Sequence, residues 1–430
     1  MRNRLDRRLA SEALLVLALI AVAALARYAG RHEQTEDMRI FTAWYRKLLA
    51  AGGFEGLGKE IGNYNAPFLY LLWAASLLPG SITIKIKLVW TAFDVLLAFF
   101  TYRLAAFRWG VRAGVAGALI MVLLPTVVIN ASFYGQMDAM WASFALGGVH
   151  FLVRGKPWHC VVFCTVALAV KPQGVFIFPL LALMVLAGSM RLLPLVAAPV
   201  TWVLLDLPAI LLGRDPVELL TIYDPARQSV HVPALTSNAP SVWTFFPFTA
   251  RADTVRNLAY LFTAALVLGL IYVLVARGIR MDATRIVTAA AAFAIGVPFL
   301  MPGMHERYFF LADVLSLVLA IYRPRLWYVP MLVQAASLLM YQPFLFGRND
   351  KIIDPMIPAG FMLAALVVTV HTLVRDVFGA PAGAPEPAAP EPAAQEPAAQ
   401  EPAAQEPAAG GDPEPAAPAR AGESLAASPA

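Results

Sequence analysis

Residues 258–276 read LAYLFTAALVLGLIYVLVA, and the chain continues Arg277-Gly278-Ile279-Arg280. Nineteen residues without a charge rise about 29 Å as an α-helix, close to the roughly 30 Å of a bilayer's hydrocarbon core. The two arginines that follow mark this end as cytoplasmic, because Lys and Arg in the inner flanks orient membrane helices. The stretch predicts a membrane span with a direction, against which the rest of the chain can be tested.

Working outward, apolar runs recur at residues 14–26, 84–105, 113–129, 137–153, 158–170, 174–187, 192–212, 286–301, 308–322, 326–346 and 356–374. Together they predict about twelve transmembrane helices, several of them short. Composition agrees: 59% of the 430 residues are hydrophobic and 14% charged, against about a quarter charged in soluble domains. This excludes a soluble globular enzyme, and the surplus apolar surface must face lipid. Cys160 and Cys164 lie one helical turn apart inside an apolar run and read as small buried hydrophobes, not a disulfide framework.

With the N-terminus inside, alternation places Arg103, Arg108 and Arg112, then Arg154 and Lys156, Arg191, Arg277, Arg280 and Arg285, Arg323 and Arg325, and Arg375 on the cytoplasmic side. Every short inside loop is basic. Residues 68–78 are apolar but rise only about 16 Å; they read as a re-entrant or interfacial helix, since a full span there would invert every later loop. Residues 1–379 form the membrane domain. Residues 380–430 repeat Glu-Pro-Ala-Ala-Gln, hold eight acids and one base, and read as a disordered cytoplasmic tail. Without that tail the body carries 32 basic and 20 acidic residues. An excess of this kind reports inner loops, not nucleic-acid binding.

The same alternation collects the unusual polar groups outside. Glu36-Asp37-Met38-Arg39 lies in the first outside loop and Tyr134-Gly135-Gln136-Met137-Asp138 at a later turn. Lys171-Pro172-Gln173, His305-Glu306-Arg307-Tyr308 and Arg348-Asn349-Asp350-Lys351 follow, with a longer loop at 213–256 containing Asp215, Asp224, Arg227, His231 and Trp243. Charge at the hydrocarbon edge is costly, so convergence on one leaflet points to a site built from several loops. In the first loop, Asp37 is placed to cap a helix through about Ala50. Ile40, Phe41, Trp44, Tyr45 and Leu48 give that helix an apolar face suited to the outer membrane surface. The chain has no Asp-x-Asp, no phosphate-loop and no His-Glu-x-x-His motif, which argues against soluble sugar-nucleotide or ATP chemistry.

Asp37-Met38-Arg39 with Trp44-Tyr45, Asn63-Tyr64-Asn65-Ala66-Pro67, Gly135-Gln136-Met137-Asp138, Lys171-Pro172-Gln173 and Met304-His305-Glu306-Arg307-Tyr308 together resemble the GT-C superfamily of integral-membrane glycosyltransferases. They look like bacterial relatives of the mannosyltransferase that adds the second mannose of glycosylphosphatidylinositol, and are also similar to the lipid-phosphate-glucose glucosyltransferases of asparagine-linked glycan assembly. The resemblance implies an all-α polytopic fold with amphipathic surface helices in the first outside loop. It also implies inverting transfer of a hexose, mannose by analogy, from a polyprenyl-phosphate sugar to a lipid-linked or cell-envelope glycan acceptor outside the cytoplasmic membrane. On that reading Asp37 is the base or orients the acceptor. Arg307, His305 and Lys171 receive the donor phosphate, with His305 alternatively shuttling a proton. Glu306, Asn65, Gln136, Asp138 and Gln173 bind sugar or acceptor hydroxyls or support the cations. Asp37 and Asp138 are the oxygen donors open to a divalent metal, which no motif requires. A transporter or flippase of a lipid-linked sugar, or a glycan ligase relying on the 213–256 loop, are the alternatives.

Overall fold

A computed structural model describes residues 2–224, 235–246, 252–278, 280–346 and 353–379. The tail at 380–430, Arg227, His231 and the 348–351 turn lie outside these. The described residues are overwhelmingly helical, and all twelve apolar runs fold as helices. Five of these helices are long and apolar enough to cross a membrane: 10–29, 193–211, 254–275, 283–300 and 356–379. A sixth candidate is a pair, Val111–Leu123 and Pro125–Tyr134, bent by 51°. The protein is therefore an α-helical membrane protein with five or six such spans, where the sequence led us to expect about twelve.

In chain order, α1 (Arg2–Ala29), α2 (Glu36–Ala50), α3 (Ala66–Ser76), α4 (Ile82–Trp109) and α5 (Val111–Leu123) come first. They lead to a short α6 (Pro125–Val128) and a π-turn at Ile129–Tyr134. Next are α7 (Asp138–Val153), α8 (Pro157–Val170), a 3-10 turn at Pro172–Ile177, α9 (Phe178–Leu186), α10 (Ala197–Leu211) and α11 (Pro216–Leu220). The remaining helices are α12 (Ala252–Val275), α13 (Ala283–Leu300), α14 (Phe310–Tyr322), α15 (Tyr328–Phe346) and α16 (Met356–Gly379). Two two-residue strands, β1 (Thr236–Ser237) and β2 (Met304–His305), pair in parallel. The 16, 14 and 13 residues of α7, α8 and α14 rise only about 24, 21 and 20 Å, which is why apolar runs outnumber clear spans.

The core and the lipid-facing shell separate cleanly. Leu14, Leu15, Leu17 and Leu25 of α1 stay largely exposed, as expected of a peripheral span. The interior helix α13 buries the run Ala289–Ala292 and packs against α14, α16 and α7, its small side chains letting neighbours come close. Helix α1 is held by charge. Arg27 Nε donates to Asp94 Oδ2 at 2.9 Å, and its Nη1 to the Val122 carbonyl at 2.9 Å. Arg27 thereby ties α1 to α4, through the buried Asp94 carboxylate, and to α5.

Two features seat the polar end of the molecule. Lys87, buried on α4, donates to the carbonyls of Gly30 (2.8 Å), Glu33 (2.6 Å) and Ser132 (2.6 Å), joining the loop before α2 to the π-turn. The α5–α6 bend comes at Leu124-Pro125, where proline has no N–H to continue the helix, and it turns the chain into the segment that carries Asn130 and Tyr134. The apolar face of α2, expected to rest on the outer membrane surface, is covered by protein. Buried there are Met38, Phe41, Tyr45 and Leu48, while Ile40 is exposed. Phe41 and Trp44 meet Phe68 of α3 at centroid distances of 5.5 and 5.7 Å, and Phe41 meets Trp90 of α4 at 5.9 Å. The amphipathic pattern was read correctly, but its apolar side is satisfied by protein. The 68–78 stretch accordingly becomes α3, an internal brace packed on α2, α4, α8 and α10.

Candidate functional site

The residue that caps α2 is Thr35, not Asp37. Thr35 Oγ1 accepts the Met38 N–H at 3.3 Å and donates to the Tyr134 carbonyl at 2.5 Å. Threonine's short hydroxyl suits the cap and leaves the Asp37 carboxylate, inside the first turn, free to reach across. Asp37 Oδ2 lies 3.5 Å from Arg307 Nη1, with 22% of its side chain exposed. Glu36 faces outward and is exposed, as the helical offset between neighbours requires.

Arg307 stands at the centre. Its Nη1 also donates to Glu306 Oε1 at 3.1 Å, and its guanidinium lies 5.9 Å from the Tyr134 ring and 5.6 Å from the Tyr308 ring, distances suited to cation–π attraction. Its Nε is buried without a protein partner. Glu306 is fully buried, and its Oε1 also accepts from the Tyr134 hydroxyl at 2.7 Å. Burial pushes the Glu306 carboxyl above its usual range, with the Arg307 charge and the Tyr134 bond opposing. The neighbouring His305 Nδ1 is 3.8 Å from Glu306 Oε2. Burial, and then the Arg307 charge, bring its imidazole down to about 4, so it is neutral at pH 7. With 21% of its side chain exposed, His305 forms the accessible edge together with Asp37.

A second group lies beside the first and is closed to solvent. Asp138 opens α7. Its Oδ1 accepts from the Lys171 ammonium and from Trp141 Nε1 at 3.0 Å, and its Oδ2 from Asn130 Nδ2 at 2.8 Å. Lys171, fully buried, also lies 3.5 Å from Gln136 Oε1 and 6.0 Å from the Tyr64 ring. Two backbone devices hold this group. Gly135 adopts φ +76°, and a Cβ there would meet Met38 Sδ at 2.9 Å, so α2 closes directly over the turn. Gly174 packs so tightly on α8 that a Cβ would sit 2.4 Å from the Ala167 carbonyl carbon, fixing the chain just after Lys171. Tyr64 joins the two groups: burial above all raises its phenol, and the charges of Arg307, Asp138 and Asp37 all act on it.

Of the expected site residues, Asp37, His305, Glu306 and Arg307 thus meet in one cluster, and Gln136, Asp138 and Lys171 in the adjoining one. Asn65 is a cap: its Oδ1 accepts the Ala66 N–H at 2.8 Å, and its own N–H reaches Tyr223, whose hydroxyl donates to the Ala169 carbonyl. Gln173 is buried with Oε1 unpartnered. Lys171 is wholly engaged by protein groups, so its charge reaches a ligand only at one remove. The Asp37–Asp138 pair does not suit a divalent metal, because Asp138 already takes a cation and two N–H donors. No group of three or more His, Cys, Asp or Glu suited to a metal occurs among the described residues. Tyr134, Asn130, Trp141 and Tyr64 were not assigned roles from sequence. Tyr134 and Tyr64 did lie inside quoted motifs, which was the available signal. The 213–256 loop also reaches the site. Gly303 N–H donates to the Leu235 carbonyl at 2.7 Å, Thr236–Ser237 pairs with Met304–His305, and Trp243 Nε1 donates to the Leu300 carbonyl at 2.8 Å.

The chain matches no known protein-family profile and no curated protein.

Proposed function

We propose that the chain is a GT-C-type glycosyltransferase that moves a hexose, mannose by resemblance, from a polyprenyl-phosphate carrier to a lipid-linked or cell-envelope glycan. The observation that carries this reading is the Asp37–Arg307–His305 edge. There a half-open carboxylate faces a guanidinium whose Nε lacks a protein partner. A planar arginine with a spare donor suits phosphate. A phosphate oxygen on Arg307 would compete with Asp37 for the guanidinium and release its carboxylate from a loose 3.5 Å pair. The freed carboxylate then takes the acceptor hydroxyl's proton while the oxygen attacks the anomeric carbon. The bond from that carbon to the phosphate oxygen breaks on the opposite face, inverting the configuration, and Arg307 holds the departing polyprenyl phosphate. Neutral His305 adds a hydrogen bond, and Glu306 with Tyr134 keeps Arg307 in place. Lys171–Asp138 stabilises the floor.

The topology we propose with this activity has twelve crossings of the cytoplasmic membrane, both termini inside and the cluster outside, as the basic inner loops favour. A ligase acting on a whole glycan is the second reading, favoured by the contact of residues 235–246 with the His305 segment.

The test is reconstitution with labelled polyprenyl-phosphate mannose and a lipid-linked glycan acceptor. Wild type should form a new glycosidic bond of inverted configuration, and Asp37→Asn should lose roughly 10²- to 10⁴-fold in rate. Near-full transfer by Asp37→Asn, or sugar crossing the bilayer without a new bond, would reject the proposal.

A further inference from the structure

At the other end of α7 the structure holds a separate polar cavity of about 230 Å³, lined by Tyr102, Arg103, Ala106, Phe107, His150 and Arg154. His150 lies twelve residues beyond Asp138, about 18 Å along the helix, so the cavity is remote from the cluster above. Its lining contains no carboxylate. Among the described residues, Arg103 and Arg154 form no ion pair; each guanidinium instead lies near a ring, Arg103 at 5.8 Å from Phe99 and Arg154 at 5.2 Å from Phe107. His150 is 5% exposed, packs on Phe100 and Phe151 at 5.8 and 5.3 Å, and its Nδ1 is buried with no partner. Two arginines at the rim and an unsatisfied buried imidazole are a donor set with no acceptor. Solvation explains the exposed arginines by themselves; it does not explain the buried nitrogen.

We propose that this cavity binds a phosphate group. The guanidinium forks match phosphate oxygens, and the imidazole supplies a further hydrogen bond from the floor. Tyr102 lines the wall. The last carbonyls of α7 favour a cation where Arg154 sits, holding its positive charge at the rim. The basic inner loops put this end at the cytoplasmic leaflet, where the phosphodiester of an anionic lipid and soluble phosphate are both within reach. The inference is independent of the transferase reading.

The full chain is placed in nanodiscs of phosphatidylcholine with a minor fraction of phosphatidylglycerol, and co-purified lipid is counted by native mass spectrometry. In parallel, its melting in neutral detergent is followed with added inorganic phosphate. Wild type should retain phosphatidylglycerol, or be stabilised by phosphate, at least about tenfold more effectively than Arg103→Gln/Arg154→Gln, which loses two charge-assisted bonds. Retained lipid identifies the lipid as source; a phosphate-dependent shift identifies the soluble anion. Ala106→Phe keeps every charge but fills the cavity, and should lose binding as fully. Arg112→Gln/Arg325→Gln removes equal charge at the same end outside the cavity, and should bind as wild type. The proposal fails if wild type and Ala106→Phe behave alike in both arms, or if the Arg112/Arg325 variant loses as much as the Arg103/Arg154 variant.

Discussion

Replacing Lys171 with methionine removes an ammonium while nearly preserving the volume of its stem. In the folded protein this leaves Asp138 fully buried, with only the neutral donors Asn130 Nδ2 at 2.8 Å and Trp141 Nε1 at 3.0 Å. Those two bonds do not replace a cation in a site closed to water. Removing one partner of a buried pair costs about 3–5 kcal/mol, and Lys171→Met should fall in that range. Asp138→Asn alone should cost less, because the amide oxygen and Gln136 Oε1 can still accept from the ammonium. The double variant Lys171→Met/Asp138→Asn removes both charges, so it should be more stable than Lys171→Met alone, with a coupling energy of about 2–3 kcal/mol. Denaturant titration of the four proteins in one detergent, followed by tryptophan fluorescence and by α7 hydrogen exchange, gives the cycle. If Lys171→Met lies within about 0.5 kcal/mol of wild type, a size ordinary for uninvolved surface substitutions, the pair is not a structural element. If the double variant loses as much as the two single variants added together, the charges are not coupled. Either result would refute the view that Asp138–Lys171 is the floor on which the exposed cluster rests.

Three further outcomes are expected. Gly135→Ala forces a left-handed backbone and a contact with Met38 Sδ, so it should destabilise by about 1–3 kcal/mol and reduce transfer by displacing α2, checked by melting and by the transfer assay. Tyr134→Phe removes a 2.7 Å bond to a buried carboxyl, a loss of about 1.5–3 kcal/mol, visible as a lower melting temperature. His305 has a folded pKa of about 4 against 6.5. The unfolded chain therefore binds the extra proton between these values, and the stabilising contribution is complete above pH 6.5 and lost as pH falls towards 4. Melting at pH 7 and pH 4.5 should show wild type losing about 2 kcal/mol more than His305→Gln; equal losses would contradict the burial of that imidazole.

Much of the cluster was legible because sidedness is a one-dimensional property. Asp37 and Arg307 are far apart in sequence, yet counting spans and basic loops puts both on one face, and the structure brings them to 3.5 Å. The helix ending at Ala50 was legible from its period, with its cap placed at Asp37, two residues beyond the observed Thr35. Less legible was what each element packs against. Period alone does not say whether the α2 apolar face meets lipid or protein, and the answer lies in Phe68 and Trp90, which come from other segments. Capping by Thr35 instead of Asp37 depends on the Tyr134 carbonyl accepting its hydroxyl, a contact across 99 residues. The partners of Asp94, Lys87 and Lys171 were hidden for the same reason: a buried charge announces that it needs a partner, but not which one. Five or six helices qualify as spans by length and composition, against twelve apolar runs, because runs of 13–16 residues suit an interior as well as a bilayer.

Where charge sits along the bundle also weighs between group transfer and transport. A carrier of a sugar headgroup needs polar contacts at successive depths, commonly from broken helices near the midplane. Along α7, between Asp138 and His150, the residues Trp141, Ala142, Ala145, Leu146 and Val149 are buried and apolar, and Ser143 turns its hydroxyl to the Met140 carbonyl. The facing α13 presents the buried alanines 289–292. Among the described residues, two buried carboxylates away from the ends each have an oxygen engaged by protein: Asp94 Oδ2 by Arg27, and Asp313 Oδ1, which accepts from Ser337 at 2.9 Å. Moving a phosphorylated sugar past this interior would require desolvating it against closely packed hydrocarbon. An arrangement in which partly open charges occur at one end, and a separate basic cavity at the other, favours chemistry at a face over passage between faces. The corresponding expectation is that Ala145→Asp, which adds a charge at mid-depth on α7, destabilises the fold and opens no route for labelled sugar across a sealed vesicle; sugar flux through that variant or through wild type would turn the argument towards a carrier.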